Sequence, residues 1–302
     1  MRSLQTSSVA KGQELIADGV RAERAGALDR AAEAYAAAVG ASTDPLIRSE
    51  ALTHLADVYR SRCEWDHAIQ CAREAQVIAS GAGLDRQNAE ALNAETLILI
   101  TRGDFAAAIP KCETIAATAT DLRLRGIALQ NLGSIYAQTG EVEAAQRAFG
   151  DSLGCFQRAE YVRGQGIALN NLGRLALDSG DIVVARARLE EALAAARDVE
   201  DADLAALVNL NLASALCSAG EVDRAQDCAM AALGYFADCD NRWRESECLR
   251  LIGDINMRCE DIDKAARCYD LSLKLAEQIG AEVEVQLTRA RIDALGGSQR
   301  SA

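Results

Sequence analysis

The 302-residue sequence has little histidine, little proline and few aromatic residues. These shortages argue against a histidine-dependent catalytic site, frequent helix breaks and an aromatic core. His54 and His67 are its only histidines. Because Ser/His/Asp and Cys/His catalytic arrangements each need a histidine, we expect the protein not to be an enzyme. Aromatic residues make up 4% of the chain while half of it is hydrophobic, which favours thin layers of packed helices over a core built on aromatic rings. The two prolines, Pro45 and Pro110, leave long stretches free to form helix.

A basic run is also missing. The formal net charge is −13, so we expect no nucleic-acid partner, because phosphate binding needs clustered lysine and arginine. The amino-terminal residues lack an apolar core of signal-peptide length, and the sequence predicts no charge-free apolar stretch of membrane-spanning length. We therefore expect no membrane contact and a cytoplasmic location.

None of the ten cysteines forms a CxxC pair, which suits free thiols in a reducing compartment. Cys63, His67 and Cys71 are evenly spaced at one helical turn, which would place three metal-ligand types on one helix face, but no fourth ligand is evident nearby. We expect no metal and no other cofactor, with zinc left as an alternative. A redox role for the last third of the chain is a second alternative, because six cysteines fall there: Cys217, Cys228, Cys239, Cys248, Cys259 and Cys268.

The sequence does contain an internal repeat. Residues Gly126–Ala145 read GIALQNLGSIYAQTGEVEAA, and residues Gly166–Ala185 read GIALNNLGRLALDSGDIVVA. One alanine of this pattern recurs at a nearly constant interval, which predicts seven repeats in one solenoid. The repeating alanines are Ala31, Ala68, Ala108, Ala145, Ala185, Ala225 and Ala265.

Each repeat has the pattern of two helices joined by a turn. A glycine stands shortly before the alanine in five repeats, and glycine closes helices in the left-handed conformation; Cys63 and Glu260 replace it in two others. Upstream of the turn, apolar residues recur at helical spacing, and a small residue follows the middle one. We expect the two helices to approach closely at these small residues, which are Gly19, Ala56, Gly133, Gly173, Ala213 and Gly253, with Thr96 as the exception.

The run Leu132, Gly133, Tyr136, Gly140 and Ala145 resembles the tetratricopeptide repeat. Repeats of about 40 residues with this LxNLG form are similar to the longer-repeat branch found in kinesin light chains and in helical domains of some bacterial regulators. The resemblance implies an all-α, right-handed superhelix of seven helix-turn-helix repeats. We expect a flexible segment over 1–10, repeats over 11–280, a capping helix over 281–295 and a disordered tail over 296–302.

The first helices of such repeats line a concave groove, and the resemblance implies that asparagines there can hold peptide main chain. Asn131, Asn171 and Asn211 share one repeat position and belong to polar stripes that we predict opposite the leucines. We therefore expect their replacement by alanine to spare the fold while weakening binding. The predicted peptide-binding residues are Asn131, Ser134, Gln138, Asn171, Arg174, Asp178, Asn211 and Ser214.

The predicted function is a scaffold or adaptor that binds a protein or peptide segment in this groove. Three alternatives stay open. In the first, the asparagines bind no peptide and only solvate the groove or bond between neighbouring helices. In the second, the protein is a sensory domain, as in bacterial regulators, that binds a small molecule or a partner domain. In the third, the solenoid self-associates through its ends.

Overall fold

The computed structural model describes residues 2–299, with the side chains of residues 8–295. Helices fill this part of the chain, in two compact units that meet in sequence at Ala159 and Glu160. The first unit contains α1 (Arg2–Arg24), α2 (Leu28–Ala41), α3 (Pro45–Ser61), α4 (Trp65–Gly81), α5 (Asp85–Thr101), α6 (Phe105–Thr118), α7 (Leu122–Thr139) and α8 (Val142–Arg158). The second contains α9 (Val162–Asp178), α10 (Ile182–Asp198), α11 (Ala202–Ala219), α12 (Val222–Asp238), α13 (Arg242–Arg258), α14 (Ile262–Gln278) and α15 (Glu282–Gln299).

Seven helix pairs followed by α15, within this described range, confirm the predicted all-α repeat fold. The turn inside each pair uses the left-handed conformation that the sequence predicted, with a φ of 83° at Gly140. Cys63 and Glu260, which replace glycine, still adopt φ values of 59° and 60°. Five of the seven turns that follow a pair use the same conformation at a second position, which was not predicted: Gly83, Glu160, Glu200, Asp240 and Gly280. The turns after α2 and α6 are extended instead, at Ser42 and Ala119.

Close approach within a pair is confirmed at the small residues of the first helix. Gly133 faces the Phe149 ring, and a Cβ built on this glycine would lie 2.6 Å from ring carbon Cδ1. Gly253 faces the Tyr269 ring in the same manner. Because glycine and ring occupy the same two repeat positions in both pairs, the contact is a property of the repeat.

The first helices form the inner layer of each unit. In the first unit α3 contacts α1 and α5, and α5 contacts α7; in the second, α11 contacts α9 and α13, and α13 contacts α15. Within the described residues of either unit, second helices of successive pairs make no such contacts. Helices that lie closer together define the concave side of a curved layer, so the groove face of each unit belongs to its first helices.

Helix α11 is strongly apolar along its whole length. Residues Ala202–Ala219 have a mean hydropathy of 1.4 over 18 residues, which is long and apolar enough for a membrane span by composition. Half of this window is buried inside the protein, where Leu212, Ala213 and Leu216 pack. Burial on several sides explains the composition, because a helix in the middle of a unit is covered by both flanking pairs.

Both ends of the chain are more helical than predicted. Helix α1 begins at Arg2, inside the segment expected to be flexible, and Val9 packs against the first core cluster. Helix α15 runs to Gln299, past the predicted limit of the capping helix, while residues 300–302 lie outside the described part of the chain. Elongating an anchored helix adds one hydrogen bond per residue without a new nucleation cost, which favours such extensions.

Candidate functional site

The eight predicted groove residues all lie on first helices, but their exposure differs. Gln138, Arg174 and Asp178 are exposed near the ends of α7 and α9. Ser134, Asn171, Asn211 and Ser214 are half-buried, whereas Asn131 is buried, with 9% of its surface exposed.

Two of the predicted asparagines are hydrogen-bonded to the neighbouring first helix of their own unit. The Asn131 side-chain amide donates to Oδ1 of Asn93 on α5 at 3.2 Å. In the second unit, the Asn211 amide donates to Oδ1 of Asn170 on α9 at 2.9 Å. Asn93 and Asn170 occupy the same repeat position, so the two bonds are one contact used twice.

These bonds correct the expectation that the asparagines lie opposite the leucines and away from the packing. Asn131 is buried beside Leu132, because a first helix contacts its own second helix, the preceding second helix and the neighbouring first helices. For Asn131 and Asn211, the bonding matches the alternative of asparagines that join neighbouring helices. Their binding role stays a prediction, and so does that of Asn171.

Asn211→Ala is therefore expected to lower the free energy of unfolding by about 1–3 kcal/mol, because it deprives the Asn170 carbonyl of its partner. Asn170 is 3% exposed, so water cannot easily replace the lost donor. Ser218→Ala, at an exposed position of the same helix, is the control and should change stability by less than about 0.5 kcal/mol. Urea unfolding of both variants is the measurement, and equal midpoints would contradict a structural role for Asn211.

The groove face of the second unit contains a pocket of about 480 Å³. It lies between α11, α13 and α15, with Tyr269 of α14 contributing from the second layer. Ser214 is the predicted residue that lines it. The full lining is Ser214, Cys217, Ser218, Leu251, Asp254, Met257, Arg258, Tyr269, Arg291, Ala294 and Leu295.

Two polar residues of this pocket continue the predicted stripe by one repeat. Asp254 and Arg258 stand one repeat period after Ser214 and Ser218. Neither residue belongs to the predicted set, which is built on the asparagine series, because Leu251 stands where the next asparagine would be. Their positions follow from the 40-residue repeat period.

Most charges around this pocket are paired. Asp254 Oδ1 accepts hydrogen bonds from the Tyr269 hydroxyl and from Arg291 Nε, both at 2.8 Å. Burial, followed by the bond to Asp254, raises the pKa of Tyr269, so this hydroxyl stays protonated and donates. The bond to Asp254 likewise raises the pKa of Arg291. Arg250 and Glu284 form a further ion pair beneath α15.

The groove face of the first unit has a separate pocket of about 510 Å³ between α3 and α5. His54 lines it and stacks on Tyr35, with ring centroids 5.0 Å apart. Asp57 pairs with Arg60 at 3.2 Å, yet burial dominates and raises the pKa of the Asp57 carboxyl. The full lining is Leu46, Glu50, Thr53, His54, Asp57, Arg86, Gln87, Glu90, Asn93, Ala94 and Leu124.

Apart from Cys217, the cysteines lie outside these two pockets, and so does the second histidine. All ten cysteines are free thiols. Cys63 and His67 are exposed at the turn between α3 and α4, where the His67 ring approaches Glu64 at 3.2 Å. Cys71 packs into the core, and burial raises its pKa to about 11.

Comparison with known proteins agrees with this architecture. Residues 124–198 match the tetratricopeptide repeat family model. No curated protein sequence matches the chain. The apo form of RapI is similar in structure, with a TM-score of 0.67 and 16% identity, covering 89% of this chain and 99% of that chain. The apo form of the quorum sensor NprR from B. thuringiensis has a TM-score of 0.71 and 15% identity, covering 89% of this chain and 77% of its own.

BtubC (BKLC) from P. vanneervenii is a third similar structure, with a TM-score of 0.58 and 18% identity, covering 73% of this chain and 92% of that chain. At such identities the likeness shows the fold alone. The paired helices, left-handed turns and inner layer of first helices define an all-α helical-repeat protein. Its fold is of the tetratricopeptide-repeat type, and the family model itself matches residues 124–198.

Proposed function

We propose that this protein is a cytoplasmic adaptor that binds an extended peptide segment of a partner protein along the groove face of its first helices. One observation carries the proposal: each unit has a polar pocket on that face, and the two pockets use corresponding positions of different repeats. His54 in the first pocket and Leu251 in the second share the repeat position of the asparagine series.

The chemistry of the linings supports a peptide. An extended peptide presents amide and carbonyl groups that need partners, and the pockets offer hydroxyls, amides and charged groups beside apolar walls. Pockets of about 500 Å³ hold a few side chains, not a folded domain. The ten free thiols support the cytoplasmic location.

The second candidate is a sensory module that binds a small molecule. The structural likeness to the quorum sensor NprR motivates it, and the same groove would hold the ligand. Self-association is the third possibility, and it is decided by the mass in solution at several protein concentrations.

A blocked-groove variant tests the peptide proposal. Ser218→Trp puts an indole into the second-unit pocket, and Ala231→Trp adds the same ring on the exposed face of the second helix α12. A displayed library of random linear peptides is selected on the wild type, and the selected peptides are titrated against both variants by calorimetry. We expect Ser218→Trp to weaken binding at least tenfold, or about 1.4 kcal/mol, and Ala231→Trp to leave it unchanged. Equal effects of the two variants, or an empty selection, would reject groove binding of peptides.

A further inference from the structure

The second-unit pocket has one cation more than it has anions. Its lining contains Arg258 and Arg291 against one carboxylate, Asp254. The whole chain, in contrast, has a formal net charge of −13. A cationic pocket on an acidic protein is a local reversal of charge, and it indicates which charge a ligand of this pocket would carry.

Asp254 makes no ion pair with Arg258, and its closest contacts are to other groups. Oδ1 accepts from Arg291 and from Tyr269, and Oδ2 lies 3.9 Å from Arg250. Arg250 is itself held by Glu284 of α15. These contacts fix Asp254 and Arg291 as a structural pair between α13 and α15.

Arg258 is different. Within the described residues, no carboxylate oxygen lies within ion-pair distance of its guanidinium, which is exposed at the end of α13 and approaches the Cys217 thiol. The other stripe arginine in this unit, Arg174, pairs with Asp178 of its own helix at 3.5 Å. Arg258 is therefore the stripe cation that is available to a ligand, and Ser214 and Ser218 of α11 add two hydroxyl donors to the same pocket.

We propose that this pocket binds an aspartate or glutamate side chain of the partner segment, with Arg258 as the charged donor and Ser214 and Ser218 as hydroxyl donors. A guanidinium offers several N–H groups in the plane that a carboxylate matches, so the contact is directional as well as charged. Leu251 and Met257 supply apolar walls for the methylene groups that precede the carboxylate. This inference rests on the proposed groove function and names the chemistry that the second unit selects.

The first experiment does not require a known partner. The Nε–H signals of the arginines are followed by NMR while N-acetyl-glutamic acid amide is added, and Arg258→Gln identifies the Arg258 signal. We expect this signal to shift saturably with the glutamate probe and to stay in place with N-acetyl-glutamine amide. An Arg258 signal that responds equally to both probes, or to neither, would overturn the acidic subsite, whatever the library selection shows.

The second experiment asks whether the subsite selects sequences. A displayed library of linear peptides is selected in parallel on the wild type, Arg258→Gln and Arg258→Glu, and selected sequences are resynthesised with amidated carboxyl termini. We expect an acidic residue at a fixed position in the wild-type pool, no charge preference with Arg258→Gln, and lysine or arginine at that position with Arg258→Glu. Amidation separates a side-chain carboxylate from a chain terminus, so peptides that lose binding on amidation would contradict the proposal.

Affinities give the third readout. Arg258→Gln should weaken the wild-type peptides roughly 5–50-fold, because a hydrogen-bonded charge in a half-exposed site loses part of its strength to water. Arg188→Gln, an arginine on α10 that pairs with Glu191, is the control and should change binding less than about twofold. If peptides bind through the groove while Arg258→Gln leaves them unaffected, groove binding stands and the acidic subsite fails. If no peptide binds, groove binding itself fails, and the NMR titration still decides the subsite.

Discussion

Gly133→Ala is expected to destabilise the pair α7–α8 by about 1–3 kcal/mol, although alanine is the better helix former by up to about 1 kcal/mol. The added methyl would lie 2.6 Å from two carbons of the Phe149 ring, well inside contact distance. Phe149 is fully buried, so the ring cannot swing out to solvent. The helices must separate, and close packing makes that separation costly.

The neighbouring glycine on α8 provides the control. A Cβ on Gly150 meets nothing within 4 Å, so Gly150→Ala gains helix propensity without a clash and should stabilise by up to about 1 kcal/mol. The two glycine-to-alanine changes thus have opposite expected signs. Urea unfolding, with hydrogen exchange of the α7 and α8 amides as a local readout, measures both, and matching signs would contradict the packing role of Gly133.

A second substitution should offset part of the destabilisation caused by Gly133→Ala. Phe149→Ala alone is expected to cost about 3–5 kcal/mol, because it leaves a cavity. In the double variant Gly133→Ala/Phe149→Ala, the new methyl fills part of that cavity, so the loss should be smaller than the sum of the two single losses. The chain already uses this combination: Ala213 and Ala229 occupy the two positions in the sixth repeat, and both are fully buried. Strict additivity would show that the residues do not share a packing site.

Lys111→Met is expected to cost about 2–4 kcal/mol, because it leaves a buried carboxylate short of one cation. Glu95 of α5 is 1% exposed. Its oxygens accept from Lys111 at 2.8 Å, from Arg73 at 2.9 Å and from Gln76 at 3.0 Å, so that α4 and α6 both bind to one side chain. Arg73 and Gln76 remain in the variant, which keeps the expected loss below that of an entirely unpaired charge.

Glu95→Leu, in contrast, should be neutral or stabilising by about 1–3 kcal/mol. The three following repeats have leucine at this position, Leu132, Leu172 and Leu212, so the pocket shape suits leucine. Lys111 and Arg73 are partly exposed and can turn their charged ends to water when the carboxylate is gone. Thermal and urea unfolding of both variants measures the contrast, and a Glu95→Leu protein as unstable as Lys111→Met would show that the ionic network is needed for the fold.

The same carboxylate gives a pH dependence. Burial would raise its pKa, but the hydrogen bonds from Lys111, Gln76 and Arg73 outweigh burial and hold the pKa of Glu95 below its ordinary value. A lowered pKa in the folded state contributes stability above the unfolded pKa, and that contribution is lost as the pH falls through the folded value. The wild type should therefore lose stability more steeply than Glu95→Leu as the pH falls below about 4.5. Parallel profiles for the two proteins would contradict this assignment.

The repeat architecture can be predicted from the sequence alone, because its main features have local causes. Period, turn conformation and helix starts follow from residues that act on their own backbone: Gly140 closes α7, and Asp44 with Pro45 opens α3 by accepting the Leu46 amide at 2.9 Å. The sequence also predicts close approach of the two helices at the small residue of each first helix. The packing of the two helices decides which side chain lies against this residue, as the Phe149 ring does against Gly133.

Which polar residues of the first helices bond to another helix, and which line a pocket, depends on the tertiary structure. A helical periodicity assigns one buried face, whereas a first helix here is covered on several sides, so Asn131 and Asn211 became bonds between helices while Asp254 and Arg258 came to line a pocket. Glu95 is the opposite case, a charged residue that the sequence pattern would place on the surface. It lies in the core because Arg73 and Lys111, from two other helices, form ion pairs with it. Contacts between helices join residues that are distant along the chain, so the periodicity within a single helix does not predict them.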